Sequence, residues 1–551
     1  MNKRSQKRRF NALVNNPVME DYALRYAPQS FRRWSEFAVA SSALGGIAYL
    51  ADFAIGGSIT LSYGFTNALT AILVVAVIIF LTGIPIAYYA ARDNIDMDLL
   101  TRGAGFGYYG STLTSLVYAS FTFIYFSLEG SVMSQAITAY FGIPLAVSYV
   151  LASLLIIPLV IYGMTFLSKL QVWTQPVWLA LLILPLMVLA TKDPHAFVHW
   201  THFAGSAGRA GFNALLFGSA AGVVLSLIAQ IGEQVDYLRF MPNLTAQNRR
   251  AWWWAVMLAG PGWVVLGAAK QIGGSVLASY IAPQVGPVKA DEPIQMYLHA
   301  LHLWIPNVAM ALTLGTFFVL LSQIKINVTN AYSGSLSWSN FFSRIFHVHP
   351  GRVVWLVLNV GIALTLMELG VFGFLGSILG FYSNVAVAWI GAVVADLVIN
   401  KPLLKLSPSY IEFKRGHLYN FNPVGFGSMV IASAVSIAAY FGLFGKVLSA
   451  FSPFLSLGLA FVLSPIIALL THGKYYIART SPTIPESPDG VACAVCDFRF
   501  EAHDMVDCPH HAGTVCSLCC SLEADCHDRC KVPGSYIHIA PAMQENMSPR
   551  V

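Results

Sequence analysis

No cysteine precedes Cys493, so neither a disulfide nor a thiol-bound metal can hold anything upstream of that residue. Charge is also scarce: Asp, Glu, Lys and Arg make up 11% of the 551 residues, against roughly 25% in a soluble domain. With 56% hydrophobic residues, such a chain does not have a water-soluble body. Nor does it carry an enzyme's signatures: no nucleophile–base grouping or phosphate-binding glycine loop occurs, and no kinase histidine box, ATP-binding motif or cyclase signature follows Cys530.

Long apolar runs fill the space these absences leave. Crossing a ~30 Å hydrocarbon core takes ~20 helical residues. Twelve segments qualify, near Phe37 to Ser62, Asn67 to Ala91, Ser111 to Tyr140, Pro144 to Met164, Trp173 to Ala190, Gly211 to Gly232, Trp252 to Lys270, Trp304 to Ile324 with an extension, Val353 to Leu369, Phe372 to Ala395, Gly425 to Phe444 and Val447 to Leu470. The formal charge of +6 is a topology signal and predicts no nucleic-acid binding. Arg8, Arg9, Arg25, Arg32 and Arg33 precede the first span, and Arg92, Arg102, Lys169, Arg249, Arg250, Arg344, Arg352, Lys401, Lys405, Lys414 and Arg415 fall in alternate loops. That bias predicts a multi-pass protein of the cell inner (plasma) membrane with both termini cytoplasmic. The expected divisions are a basic arm (1–36), a membrane domain (37–472), a linker (473–490), a Cys-rich domain (491–532) and a tail (533–551).

Polar residues inside spans point to a site, because an ionisable group at membrane depth faces a partner or a watery cavity. In span 1, Asp52 stands between the pairs Gly45-Gly46 and Gly56-Gly57, which predicts a helix interrupted near Asp52. Span 3 holds Tyr125 and, one turn on, Glu129, which is a ligand contact or a structural acid. Span 6 closes on Gln230, Glu233, Gln234 and Asp236, either a second discontinuous helix or the start of a loop. Span 8 takes in Lys325, Asn327 and Asn330 without a break; the lysine is a buried functional charge or a snorkelling one. Lys270, near the end of span 7, reads as an interface anchor.

Four segments carry a resemblance: DLLTRGAGFGYYGSTLTSL (98–116), VDYLRF (235–240), NAYSGSLSWSN (330–340) and VVADLVIN (393–400). They resemble corresponding stretches of the nucleobase-cation symporter family, which includes cytosine permeases and hydantoin transporters. The resemblance implies an all-α polytopic membrane protein of twelve transmembrane helices, ten of them in a LeuT-type five-plus-five inverted repeat. It implies a substrate site between helices 1, 3, 6 and 8 for a small planar nitrogenous heterocycle. Tyr125 then replaces a stacking tryptophan of cytosine permease and Thr122 a glutamine, while Ser226 and Leu227 fall on a substrate-contacting Ser-Phe pair. Asp52, Glu129 and Gln230 complete the expected substrate set. Lys325 and Ile326 replace two threonines of the sodium site, so no sodium is expected; the Lys325 ammonium would take its place, paired with Asp52.

All eight cysteines follow a proline-bearing linker: Cys493, Cys496, Cys508, Cys516, Cys519, Cys520, Cys526 and Cys530. In a reducing cytoplasm, the CxxC pairs Cys493/Cys496 and Cys516/Cys519 favour zinc, with an iron–sulfur cluster or a redox-sensing thiol group as alternatives. Eight thiols suffice for two four-cysteine sites, and spacing does not fix the pairing. The phrase CSLCCSLEADCHDRCK is similar to a segment joining permease-like domains to signalling modules in bacterial sensor proteins, which implies a signalling partner. Two functions follow as expectations: a secondary transporter working by alternating access, or a transporter-like receptor that signals through the tail.

Overall fold

The computed structural model describes Arg8, Phe10, Val14, Asp21 and residues 24–532; segment 533–551 and most of the arm before residue 24 lie outside the described residues. The membrane domain is all helical. Its elements are α1 (Glu36–Gly46), α2 (Ala51–Tyr63), α3 (Phe65–Asp93), α4 (Gly110–Phe141), α5 (Leu145–Ile161), α6 (Gly163–Lys192), α7 (Ala214–Leu225), α8 (Ile231–Leu238), α9 (Arg249–Ala259), α10 (Trp263–Val285), α11 (Pro293–His302), α12 (Val308–Phe346), α13 (Arg352–Glu368), α14 (Leu375–Ala395), α15 (Pro423–Tyr440) and α16 (Ser452–Leu470). Among the described residues, ten stretches are long and apolar enough to span a bilayer, counting the bent pair α1 and α2 as one. The 17-residue α5 is a shorter apolar helix beside these ten, where twelve spans were expected.

Apolar side chains face outward where a soluble protein would place polar ones. On α3, Leu73, Val77 and Leu81 form an exposed stripe at four-residue spacing while Ile72, Val75 and Ile79 are buried. A lipid-facing helix needs that pattern, since its outer surface meets hydrocarbon. Polarity is instead gathered inside: α12 runs unbroken for 39 residues with Lys325, Asn327, Asn330, Ser333, Ser337, Asn340 and Arg344 all buried. Most of this line has partners on other elements. Ser333 donates to Asp236 on α8 at 2.5 Å, Ser337 to Asp98 at 2.9 Å, and Arg102 to Asn340 at 2.6 Å. Hydrogen bonds between helices thus account for Ser333, Ser337 and Asn340.

The first span is interrupted as expected, with α1 and α2 bent by 46° across residues 47–50, and Asp52 lies in the first turn of α2. Two glycines fix where α2 lies. A Cβ on Gly56 would fall 1.9 Å from the Gln271 carbonyl oxygen, and one on Gly274 would fall 2.2 Å from that of Phe53. Only glycines let α2 and α10 approach this closely, and the approach brings Asp52 beside residues 270 and 271. The sixth span is milder than a full break: a 3-10 turn at Ser226–Gln230 joins α7 to α8, and helix continues to Leu238, past the point where a loop was the alternative.

Beyond Leu470 the chain builds two small antiparallel hairpins, β1 (Val491–Ala492) with β2 (Arg499–Phe500) and β3 (Met505–Cys508) with β4 (Gly513–Cys516), followed by α17 (Ser517–Ser521). In the second hairpin Met505 pairs with Cys516 and Cys508 with Gly513. The hairpins pack on the membrane domain through charge-assisted contacts. Arg415 donates to the Cys520 carbonyl at 3.0 Å and forms an ion pair with Asp528 at 3.0 Å. Arg25 pairs with Asp504 at 3.1 Å, Tyr26 donates to Glu501, and Arg8 donates to the Cys519 and Leu522 carbonyls at 3.1 Å each. The described basic residues Arg8 and Arg25 of the arm therefore engage the tail.

Candidate functional site

Ending α1 at Gly46 and restarting the helix at Ala51 leaves carbonyls and amides without helical partners. Both sets are satisfied by buried charges. Lys270 of α10 donates to the Ile47 carbonyl at 2.7 Å and the Tyr49 carbonyl at 2.9 Å, and its ammonium lies 3.6 Å from the centre of the Tyr49 ring. The same nitrogen forms an ion pair with Asp52 at 3.0 Å. Gln271 donates to the other Asp52 oxygen at 2.8 Å. On the opposite side, the Glu129 carboxylate accepts from the Leu50 and Ala51 amides, each at 3.1 Å. A cation thus sits at the carbonyl end of one half-helix and an anion at the amide end of the next, the arrangement both helix dipoles favour.

Two expectations change here. Lys270 is not an interface anchor, being 1% exposed. Its apolar segment does not stop at residue 270, because α10 continues to Val285 and leaves the ammonium in mid-helix. Lys325 is not the partner of Asp52: it donates to the Gln171 carbonyl at 2.9 Å and to Thr174 at 2.8 Å, both on α6. Ser322 faces α6 as well, where Trp178 donates to it at 2.7 Å. Lys325 therefore ties α12 to α6, while the charge that fills the break comes from α10.

The expected substrate residues divide into two groups. Tyr125 on α4 hydrogen-bonds Ser226 in the 3-10 turn at 2.8 Å, and its ring lies 4.4 Å from that of Phe121, both buried. Tyr49 and Asp52 meet at the Lys270 ammonium, and Glu129 meets the next residues of the break at the Leu50 and Ala51 amides. Gln230 donates to Glu233 at 2.8 Å, while Leu227 belongs to the hydrophobic core. Thr122 belongs elsewhere. It donates to Asn359 of α13 at 3.1 Å, beside Gly334, where a Cβ would come within 2.6 Å of the Thr122 hydroxyl. Sequence reasoning missed Lys270, Gln271, Tyr49 and Trp263; the last lies with Asp52 against Gly267.

Several buried polar atoms near this centre have no hydrogen-bond partner: the Tyr49 hydroxyl, Trp263 Nε1, Glu233 Oε1, Gln271 Oε1 and both ends of the Gln234 amide. Leaving such a group unsatisfied costs about 1–3 kcal/mol. A cluster of them beside an aromatic pair is what a site for a polar, planar molecule requires, with donors and acceptors both on offer.

The tail holds a separate site. Cys493 and Cys496, after β1, meet Cys516 and Cys519, at the end of β4 and in α17, with all four sulfurs within 4.8 Å of one another and all four residues buried. Tetrahedral zinc with Zn–S of about 2.3 Å sets sulfur–sulfur distances of about 3.8 Å. The cluster is compatible with one such ion. Amides of Cys516 and Cys519 point at the sulfurs of Cys493 and Cys516 at 3.3 and 3.4 Å, the kind of donor that supports a thiolate ligand.

No protein-family model matches the sequence, and no curated protein matches it. The fold does have counterparts. Mhp1, a nucleobase-cation-symport-1 family transporter in a closed conformation with bromovinylhydantoin bound, superposes with a TM-score of 0.59 at 17% identity over 84% of this chain and all of its own. Inward-facing Mhp1 gives 0.55 at 18% identity over 87% of this chain and 100% of that one. A Na+-coupled sialic acid symporter in a substrate-bound outward-open state gives 0.52 at 14% identity, covering 83% of this chain and 93% of its own. The membrane domain has the fold of these transporters, the LeuT-type architecture of two five-helix repeats followed by α15 and α16. The hairpin tail is an addition to it.

Proposed function

We propose that this chain is a secondary transporter of the nucleobase-cation symporter type, carrying a small planar nitrogenous compound such as a nucleobase, hydantoin or allantoin by alternating access. One observation carries the reading: an interrupted first helix whose free backbone groups are held by buried charges, next to the Tyr125–Ser226 pair and a set of unsatisfied polar atoms. The fold shared with Mhp1 supports it. Tyr125 offers a stacking face and a hydroxyl, and Glu129, Gln230 and Glu233 offer acceptors and donors for a base edge. The protein resides in the cell inner (plasma) membrane with both termini cytoplasmic, as the positive-inside distribution supports.

Sodium is not the coupling ion in this reading. A lysine ammonium already holds two carbonyls of the break and a carboxylate, the oxygen ligands a monovalent cation would seek. The tail binds zinc through Cys493, Cys496, Cys516 and Cys519. A second reading, a receptor that passes ligand occupancy to a cytoplasmic signalling partner, is favoured by the tail's contacts with the ends of α4 and α12, where Tyr108 donates to the Ser521 carbonyl and His347 lies at 3.3 Å from it.

Uptake of radiolabelled nucleobases, hydantoins and allantoin into proteoliposomes, under imposed sodium or proton gradients and beside a binding assay, tests both readings. Proton-driven uptake is the expected result. Sodium-driven uptake overturns the role given to Lys270, and saturable binding without flux overturns transport in favour of the receptor.

A further inference from the structure

The cysteines outside the first cluster do not scatter. Cys508, at the end of β3, and Cys520, Cys526 and Cys530, in α17 and after it, line one cavity of about 130 Å³ beside Gly416. Their sulfurs are not all within the 4.8 Å that contains the first cluster, so an ion would draw them together across the cavity. None of the eight cysteines forms a disulfide. The cavity lies beside the tail's docking contacts: Arg415 engages the Cys520 carbonyl and Asp528, and Lys531 donates to Asn420 at 2.9 Å.

We propose that the tail holds a second metal ion, bound by Cys508, Cys520, Cys526 and Cys530, so that two thiolate sites are interleaved along the chain. Three features support this. Adjacent Cys519 and Cys520 face opposite ways, one into the first cluster and one into the second cavity. The β3–β4 hairpin carries Cys508 at its turn end, opposite Gly513, and Cys516 at its far end, opposite Met505, so a single short hairpin supplies a ligand to each ion. The segment from Leu522 to Val532 has few apolar side chains and no regular structure beyond a short 3-10 turn. Burial cannot hold such a segment, whereas a metal bound at Cys526 and Cys530 can.

Soft thiolates favour zinc over the harder cations, with each ligand deprotonated on binding. His511 stands at the rim of the same cavity but is engaged by Glu523 at 2.9 Å, so the fourth ligand assigned is Cys520. This assignment is independent of whether the membrane domain transports or senses.

The test uses the full chain purified in detergent with zinc present in the medium. Elemental analysis by mass spectrometry is expected to find two zinc ions per chain, falling to one in Cys508→Ser, Cys526→Ser and Cys520→Ser, with His511→Ala retaining two. Alkylation with iodoacetamide followed by peptide mapping is expected to leave all eight cysteines unmodified in the loaded protein and to label Cys508, Cys520, Cys526 and Cys530 after chelation. One zinc per chain with those four thiols freely alkylated overturns the proposal. Loss of one zinc in His511→Ala with Cys520→Ser unaffected overturns the ligand assignment. If a serine variant loses both ions through unfolding, the wild-type stoichiometry and alkylation pattern still decide.

Discussion

Lys270→Met is the perturbation that bears most directly on the site. The methionine side chain is one heavy atom shorter and unbranched like lysine, so packing is largely kept while the charge is lost. What remains is a fully buried Asp52 whose cationic partner is gone, with Gln271 as its donor, and two carbonyls, of Ile47 and Tyr49, without donors. Removing one partner of a buried pair costs about 3–5 kcal/mol, because the other charge stays buried and uncompensated. Asp52→Asn in the same background removes that charge and recovers part of the loss, so a double-mutant cycle gives a coupling of at least ~1.5 kcal/mol. Equilibrium unfolding in detergent micelles, followed by tryptophan fluorescence, measures both quantities. The vacated space in Lys270→Ala presents two carbonyl oxygens and a carboxylate, so sodium is expected to stabilise this variant by ~1.4 kcal/mol at ten times its Kd, and to leave the wild type unchanged. A loss below ~1 kcal/mol in Lys270→Met, or a cycle with no coupling, refutes the account of the helix break.

Three further outcomes are expected. Gly274→Val drives a side chain into the Phe53 carbonyl, where even a Cβ would lie at 2.2 Å, and is expected to cost more than ~3 kcal/mol or abolish assembly, read as loss of the monodisperse peak in size-exclusion chromatography. Ser226→Ala releases the Tyr125 hydroxyl without altering the ring, so heterocycle affinity measured by isothermal titration changes by up to ~10-fold, while Tyr125→Ala abolishes it. The His503 imidazole is surface-exposed but lies edge-on to the Tyr26 and Phe413 rings, and partial desolvation with Lys414 near holds it below its usual range. Protonation is then disfavoured in the docked state, so docking weakens as pH falls through the undocked value of about 6.5. Limited proteolysis of the linker at pH 5.5 is expected to run faster than at pH 7.5, with His503→Gln removing most of the difference.

Sequence patterning sufficed where one local feature decides the structure. Paired glycines flanking an acid placed the interruption of the first span within a few residues of Asp52, and apolar length alone marked the ten stretches that are long enough to span. Pairing across the bundle was not legible. Gln271, Gly273 and Gly274 interrupt the apolar run after Lys270, so the seventh span seemed to end there; in the fold those residues serve the contact with α2, and the helix passes straight through them. Lys325 lay in a span by the same patterning, but only the position of α6 shows that its donors go to Gln171 and Thr174. Thr122 is one turn from Tyr125, yet the small Gly334 lets α12 come close enough to turn Thr122 toward Asn359. In the tail, CxxC spacing marked two cysteine pairs but not that they meet, which depends on the β3–β4 hairpin bringing Cys516 back to Cys493.

The two helices that bring Tyr125, Glu129 and Lys325 into the bundle also end on the tail. Tyr108, two residues before α4, donates to the Ser521 carbonyl, and Arg344 near the end of α12 donates to the Tyr108 carbonyl at 3.0 Å and to Ser111 at 2.6 Å. His347, which closes α12, sits at 3.3 Å from that same Ser521 carbonyl. From Gly110 to Glu129 an α-helix covers about 29 Å at 1.5 Å per residue. Over that distance a helix packed along its whole length moves as a unit, so a shift of its end is a shift of Glu129 against the amides of Leu50 and Ala51. Any free energy by which tail docking favours one position of α4 is therefore the free energy by which occupancy at the centre favours docking, since coupling between two sites is reciprocal. The tail and the helix break are thus joined by contacts that run through α4 and α12.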